Sequence, residues 1–499
     1  MSRRPTTRSS DDDALRRALA ELLRVAPVTD GLAARLAAKG HEVALVGGSV
    51  RDAFLGRLGS DLDFATDAHP DDVLAAVRGW ADATWTIGIG FGTVGIERDG
   101  WRLEVTTYRA EAYDAASRKP TVEYGESLTD DLSRRDFTAN AMAVTLPDRT
   151  FVDPFGGLDD LRAGRLRTPG SAEASFNDDP LRIMRAARFV SQLGWTVADD
   201  VVTAMSALAD RLAIVSAERK RDELIKLVLG AHPVDGLRLL VETTAADQVI
   251  PELSTLKATV DEHRRHKDVY EHTLTVLEQA VVLEKQRGFD PDLVIRLAAL
   301  LHDIGKPKTR SFEPGGGVSF HHHEVVGAAM TRARLVELHF PKQVVEDVAR
   351  LVELHLRFHG YADGEWTYAA VRRYVRDAGP LLERLHVLTR SDCTTRNRAK
   401  AARLAAAYDD LEARIARLAA DEELRSIRPR LGGDQVMGYL DIGPGPVVGK
   451  ALKFLLELRL EDGPMTADDA YAALRSWAVE EGLADPGPPP GEDGDAERR

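Results

Sequence analysis

Cysteine is almost absent: a single residue, Cys393, among 499 excludes an internal disulfide and fits a reducing compartment. Long apolar runs are missing too. No stretch of 18 apolar residues occurs, and the opening MSRRPTTRSS is not followed by an apolar signal core, so neither a membrane span nor an export signal is expected. The expected location is the cytoplasm, with no membrane partner. Positive charge is in deficit, and the net charge of −14 excludes a protein that coats nucleic acid through bulk electrostatics. Local patches remain open. One runs from 371 to 430, with 14 Lys and Arg against 9 Asp and Glu; a solvated helical face is the plainer alternative for such a run.

What is present is an ordinary globular composition, 44% hydrophobic, in a chain too long for one core, so two to four domains are expected. Residues 1 to 14 and 485 to 499 carry no periodic apolar pattern and are expected to lack fixed structure. Between 41 and 153, HEVALV, DLDFAT, FGTVGIE and WRLEVTTY suit strands, interrupted by one helical segment, PDDVLAAVRGW. After Gly157, Ala/Leu/Arg-rich segments at helical spacing continue to about 480, broken most clearly by FEPGGGVSF at 312 to 320. There is no internal repeat. The fold class is therefore α+β, a small mixed-sheet head followed by an all-helical body.

The stretch GGSVRDAFLGRLGSDLDFATD, residues 47 to 67, carries the first chemistry. A strand that ends in Gly47-Gly48 and turns into a helix at Ser49 leaves backbone N–H groups and the positive end of a helix facing an anion. Ser49-Val50-Arg51-Asp52 also fits a capping box, with Ser49 at the N-cap and Asp52 at N3. Asp61 and Asp63, two apart in a strand, point to one face, where they can converge on an oxygen-preferring cation such as Mg2+. Alone, such a pair is more often a turn or surface feature. Following an anion loop by a dozen residues, it favours metal-assisted transfer of a nucleotidyl group. Glu104 in WRLEVTTY, off the core face by alternation, is a candidate third carboxylate.

These residues resemble a known family. GGSVRDAFLGR with DLD, then RRDFTANAMA (134–143), DPFGGLDDL (153–161), DDPLRIMRAARF (178–189) and a looser AERKRDEL (217–224) follow the signature order of the class II tRNA nucleotidyltransferases, the CCA-adding enzymes of the polymerase-beta-like superfamily. The resemblance is strong over roughly 40 to 230. It departs at Asp178, where many relatives have Glu, and at Lys220, where an aliphatic residue is usual.

The resemblance implies that Gly48, Ser49 and Arg51 meet the triphosphate, that Asp61 and Asp63 bind Mg2+ with Glu104 beside them, and that Arg135 contacts the nucleotide next to Asp136 and Asn140. It further implies that Asp179 and Arg182 read the base, with Arg185 and Arg188 one and two turns on. An ionised Asp only accepts hydrogen bonds and an Arg only donates them. Cytosine and adenine offer an exocyclic amine beside a ring acceptor, whereas uracil and guanine present the reverse, so such a pair at i, i+3 on one helix face admits C and A and rejects U and G. The loop YDAASRKPTVEY, 113 to 124, resembles one that full CCA-adding enzymes carry.

The body holds a second constellation: HKDVYEHTL, LAALLHDIGKP, FHHHEVVGA, LVELHLRF and RSDC, between 266 and 392. This resembles the HD phosphohydrolase superfamily, and imidazole with carboxylate suits a divalent transition metal or Mg2+ that activates water against a phosphoester. By that resemblance His272, His302, Asp303 and Asp392 are metal ligands, and His323 and His355 complete a second site. A degenerate HD fold kept for packing or RNA contact is the alternative.

The expected divisions are a partly disordered arm (1–30), the nucleotidyltransferase head (31–157), a helical nucleobase-selecting neck and RNA-binding region (158–255), the HD domain (256–400), a helical tail in contact with tRNA (401–480) and a disordered tail (481–499). The function implied is Mg-dependent, template-independent CTP(ATP):tRNA nucleotidyl transfer completing the 3'-terminal CCA, with tRNA, CTP and ATP as partners. A poly(A) polymerase, a uridylyltransferase and a metal phosphohydrolase with a vestigial head are the rival readings.

Overall fold

In the computed structural model the described residues are 8–112, 121–125, 127–257, 269–312, 318–358, 361, 366–395, 397–421 and 428–490. Most of the loop 113–124 and part of FEPGGGVSF lie outside them. The chain forms two compact units, divided between Ser254 and Thr255.

The first unit opens with helix α1 (Arg8–Ala37), which takes up most of the arm expected to be partly disordered. The correction has a simple cause: Ala18, Val25, Val28, Leu32 and Leu36 recur at helical spacing and bury themselves in the head's core. Strand β1 (Val43–Val46), helix α2 (Gly48–Phe54), β2 (Asp61–Thr66), α3 (Pro70–Val77), β3 (Ala83–Trp85), β4 (Thr93–Arg98) and β5 (Trp101–Thr107) follow. β6 (Arg109–Ala112), β7 (Thr121–Tyr124), α4 (Leu128–Ser133), β8 (Ala143–Leu146) and β9 (Phe151–Val152) complete the head. Seven strands make one sheet in the order β3-β4-β5-β2-β1-β8-β9, with β6 and β7 paired apart.

Every pairing in the large sheet is antiparallel except β2 with β5, which is parallel and sets Asp63 beside Glu104. Alternation along the strands sends Leu62, Phe64, Leu103, Val105, Val94 and Ile96 to the face packed on α1 and α3. Asp61, Asp63 and Glu104 are left on the opposite, open face.

The neck runs through α5 (Gly157–Ala163), β10 (Arg165–Leu166), α6 (Ala172–Asp178), α7 (Leu181–Leu193), β11 (Thr196–Val197), α8 (Asp199–Leu208), α9 (Ala217–Val228) and α10 (Pro233–Glu242), closed by α11 (Pro251–Leu256). α7 packs on both α9 and α10. α6 and α7 are not continuous. Asp179 lies in an extended conformation, since a residue before proline is pushed out of the helical region and Pro180 has no N–H to give.

The second unit is helical: α12 (Val269–Gln286), α13 (Leu293–Leu301), α14 (Lys306–Thr309), α15 (His323–Glu337), α16 (Lys342–Leu354), α17 (Tyr368–Ala378), α18 (Leu382–Ser391) and α19 (Arg398–Asp421). Three further helices, α20 (Gly433–Leu440), α21 (Pro446–Asp462) and α22 (Ala467–Glu480), share their own small core. The tail after them is held at its start, because Asp485 accepts from Arg475 at 2.6 Å and the Gly487 carbonyl accepts from Tyr439 at 2.7 Å. Among the described residues no helix is long and apolar enough to cross a membrane.

Candidate active site and metal cluster

The glycine loop at the start of α2 departs from the expected capping box. Gly47, not Ser49, is the N-cap of α2, at φ 69° and ψ −133°, a conformation that glycine adopts freely. Ser49 is then inside the first turn, and its hydroxyl accepts from the Asp63 N–H at 2.9 Å. That bond ties the loop to the strand carrying the carboxylates. Asp52 pairs with Arg51 and Arg57 instead of capping. A side-chain carbon on Gly47 would lie 2.5 Å from Arg135 Nη1, so the absence of one lets that guanidinium cross the loop toward Asp63.

Asp63 stands exposed on the open face of the sheet. Partial desolvation of its carboxyl pushes it above the usual range, Glu104 and Asp61 push the same way, and Arg135 and Arg51 oppose them. A carboxylate destabilised by two like neighbours is a site where a cation relieves the repulsion, so the residues present fit a divalent ion. Polymerase-type heads and HD domains generally use such metals.

Behind the carboxylates an ordered network fixes the cationic groups. Asn140 accepts from Arg51 Nη1 at 2.6 Å and donates to Asp136 at 2.8 Å. Asp136 also accepts from Arg185 at 2.8 Å and 2.5 Å. Burial would raise the Asp136 carboxyl, but Arg185 and Asn140 overcome it and hold the group well below the usual carboxylate range. Arg188 is only 9% exposed and bonds Glu223 at 2.5 Å, so the structure places it in the neck's interior.

Asp179 and Arg182 do not share a continuous helix as the spacing predicts, because the chain breaks at Pro180; they remain neighbours through the Arg182 N–H, which donates to the Asp179 carbonyl at 3.0 Å. Asp179 accepts from Arg219 at 2.8 Å, and Arg182 donates to the Arg134 carbonyl at 2.5 Å, reaching the head beside Arg135. Sequence reasoning missed Arg219 and also Asp131, which accepts from Arg135 at 3.0 Å. Both lie inside or beside quoted motifs; only folding reveals whom they pair with.

In the second unit the six predicted residues come together from five helix ends. His272 on α12 has its Nε2 3.0 Å from Asp392 and 3.5 Å from Asp303. His302 Nε2 lies 3.2 Å from Asp303 and 3.7 Å from Asp392, and His323 Nε2 lies 3.4 Å from Asp303. Asp303, His323 and His355 form a second group able to hold one ion.

The orientation of the rings is locally encoded: Nδ1 of His302, His323 and His355 each faces the carbonyl three residues earlier, at 2.9 Å, 2.8 Å and 2.6 Å. A carbonyl only accepts, so Nδ1 carries the proton and Nε2 is left as a lone-pair donor aimed at the cluster. Burial lowers His355 to about 3, so it stays neutral and fit to ligate. His323 Nε2 is buried with no hydrogen-bond partner, a lone pair chemically suited to a divalent ion. Lys306, in the quoted HDIGK but unassigned there, stands 2.9 Å from Asp303.

Fold and sites together define a nucleotidyltransferase head joined to a helical body that houses an HD-type ligand cluster. Comparison with known proteins sharpens this. Residues 43–167 match the poly A polymerase head domain, 194–256 the probable RNA and SrmB-binding site of polymerase A, and 269–420 the HD domain. An A-adding tRNA nucleotidyltransferase of Deinococcus radiodurans is 34% identical over 443 residues, 88% of this chain and 96% of that protein. A CCA-adding enzyme of Geobacillus thermodenitrificans is 43% identical over 214 residues, 43% of this chain and 52% of that enzyme, so the match to this relative spans only about half its length. Among solved structures, the Bacillus stearothermophilus CCA-adding enzyme in complex with CTP superposes with a TM-score of 0.65 at 26% identity, over 91% of this chain and 98% of that one. The Thermotoga maritima CCA-adding enzyme complexed with tRNA shares the fold at TM-score 0.58 and 16% identity, over 91% and 95%. The chain belongs to the tRNA nucleotidyltransferase family, in the branch that carries an HD domain.

Proposed function

We propose that the protein is a Mg2+-dependent, template-independent CTP(ATP):tRNA nucleotidyltransferase that builds or repairs the 3'-terminal CCA and releases pyrophosphate. The observation that carries this reading is the order of groups on the open face of the sheet: Arg51 and Arg135 over the glycine loop, then Asp63 and Asp61, then Glu104. Bound at Asp61 and Asp63, Mg2+ would offset the charge of the reacting phosphates and favour ionisation of the attacking hydroxyl. Arg51, Arg135 and the Gly48 N–H hold the triphosphate, while Asp136 and Asn140 keep Arg51 and Arg185 in place. Asp179 and Arg182 choose the base by their fixed acceptor and donor character, with Arg219 and Ser175 steering them. Arg188 acts at a remove, anchoring the helix that carries Arg182 and Arg185.

The test is incubation with tRNA lacking CCA and each labelled nucleotide separately. Transfer from CTP to tRNA lacking CCA and from ATP to tRNA ending in CC, but from neither UTP nor GTP to either, is expected; transfer from UTP or GTP, or none, overturns the reading. A second reading, addition of the terminal A alone, is favoured by the Deinococcus relative, whose match runs through both units. It predicts transfer to tRNA ending in CC from ATP and none from CTP to tRNA lacking all three residues.

The HD cluster supports a second, separable activity, metal-assisted hydrolysis of phosphoesters, with His272, His302, Asp303 and Asp392 as one ligand group and Asp303, His323 and His355 as another. Asp61→Ala and Asp63→Ala are expected to abolish nucleotide addition and spare hydrolysis, and His302→Ala and Asp303→Ala to do the reverse. Addition that survives Asp61→Ala would refute the head assignment.

A further inference from the structure

An open hollow of about 460 Å³ adjoins the carboxylates on the side away from the phosphate loop, lined by Trp85, Ile87, Phe91, Thr93, Gly95 and Glu104. Its position follows from strand register. Trp85 pairs with Gly95, Gly95 with Glu104, and Glu104 with Asp63, so these four residues form one row across β3, β4, β5 and β2. Neighbouring strands lie about 4.8 Å apart, which puts Gly95 a single strand from Glu104. A side-chain carbon at Gly95 would fall 1.9 Å from the Trp85 ring: the ring lies on the bare backbone of β4, next to Glu104. At the rim Ile87 is 93% exposed and Phe91 52%, large apolar side chains that water alone does not account for at the edge of a charged site.

Nucleotidyl transfer needs two substrates side by side, and the open face has two kinds of ground flanking its carboxylates. The cationic glycine loop suits a triphosphate. The apolar, aromatic side suits a nucleobase, whose flat face stacks on an aromatic ring whatever its identity. We propose that this hollow seats the base of the acceptor strand's 3'-terminal nucleoside, stacked on Trp85 and covered by Ile87 and Phe91, so that its 3'-hydroxyl faces Glu104 and Asp63. The proposal rests on the nucleotidyltransferase reading above and assigns its acceptor subsite. Trp85 and Phe91 touch substrate but not the reacting atoms. Because stacking carries no hydrogen-bond code, the subsite accepts any terminal base, leaving choice to Asp179 and Arg182.

The experiment is a cycle of two deletions measured on the full chain: Trp85→Ala in the protein, and removal of the terminal base in an acceptor RNA that keeps its 3'-hydroxyl. Either deletion alone is expected to raise KM for the acceptor about tenfold to a hundredfold, and both together little more than one. KM for the nucleotide is expected to stay within about twofold, since the triphosphate loop is untouched. Trp85→Phe should retain most of the acceptor affinity. Phe91→Ser and Ile87→Ser, at exposed positions that do not hold the fold, should each raise acceptor KM several-fold and so carry the test if Trp85→Ala unfolds. Multiplicative losses in the cycle, or unchanged acceptor KM in the Phe91 and Ile87 variants, overturn the proposal. A raised nucleotide KM with unchanged acceptor KM overturns it too, and assigns the hollow to the incoming base. If the wild-type chain transfers nothing to an intact acceptor, the nucleotidyltransferase reading itself falls.

Discussion

Replacing Gly47 by alanine tests how the phosphate loop is built. At φ 69° and ψ −133° the backbone stands where a side chain is strained, at a cost of about 1–3 kcal/mol. The new methyl would lie 2.5 Å from Arg135 Nη1, and since that atom ends a flexible side chain, the guanidinium retreats rather than the loop. Arg135 stays tethered to Asp131 at 3.0 Å and 3.3 Å but no longer crosses toward Asp63. A lost charge-assisted hydrogen bond to a phosphate is worth about 1.5–3 kcal/mol, or roughly 10- to 150-fold in kcat/KM for the nucleotide. Gly47→Ala, Arg135→Ala and the double variant should therefore be compared in kcat/KM and in urea unfolding. Gly47→Ala should lose both stability and activity, and Arg135→Ala chiefly activity. The double variant should be little less active than Arg135→Ala alone. An unaffected kcat/KM in Gly47→Ala, or losses that multiply in the double variant, would refute the claim that glycine is there to admit Arg135.

Three further outcomes follow from the geometry. Glu223→Leu strands Arg188, 9% exposed, without its charged partner, and should cost about 3–5 kcal/mol in urea unfolding; adding Arg188→Met should recover most of it. Gly305→Ala would place a carbon 2.2 Å from the His323 carbonyl and 2.7 Å from the Gly327 nitrogen, both backbone, so α15 must move and His323 with it. Metal bound per chain should fall while nucleotide addition persists, and unchanged metal content would count against the cluster as described. His386 is lowered to about 4, by burial first, while Glu412 favours its protonation and Arg287 and Arg390 oppose it; Tyr374 stacks on its ring. An imidazole kept neutral when folded contributes fully above its ordinary pKa and loses that contribution as pH falls from about 6.5 toward 4, about 3 kcal/mol in all. His386→Gln should flatten the fall in urea midpoint over that interval, and an unaltered slope would contradict it.

Much of this protein is written locally. The alternation in DLDFAT and WRLEVTTY puts Asp61, Asp63 and Glu104 off the core face, and the structure keeps them there. Proline rules read directly would have foretold the break at Pro180 that separates Asp179 from α7. The histidine side chains likewise take their orientation from carbonyls three residues back. What a chain cannot display is who stands opposite whom. The parallel pairing of β2 with β5 joins Asp63 to Glu104 across 41 positions, and β4 and β3 extend that row to Gly95 and Trp85. Arg219 reaches Asp179 from two helices further on, the Ser49 hydroxyl accepts from the Asp63 N–H on β2 rather than capping its own helix, and His272 meets Asp392 from the far end of the HD domain. Side-chain identity and backbone period are local, so the kinds of chemistry available and the faces on which they sit are legible along the chain. Partners come only from folding, because charge pairing, stacking and ligation act over a few ångströms whatever the distance along the chain.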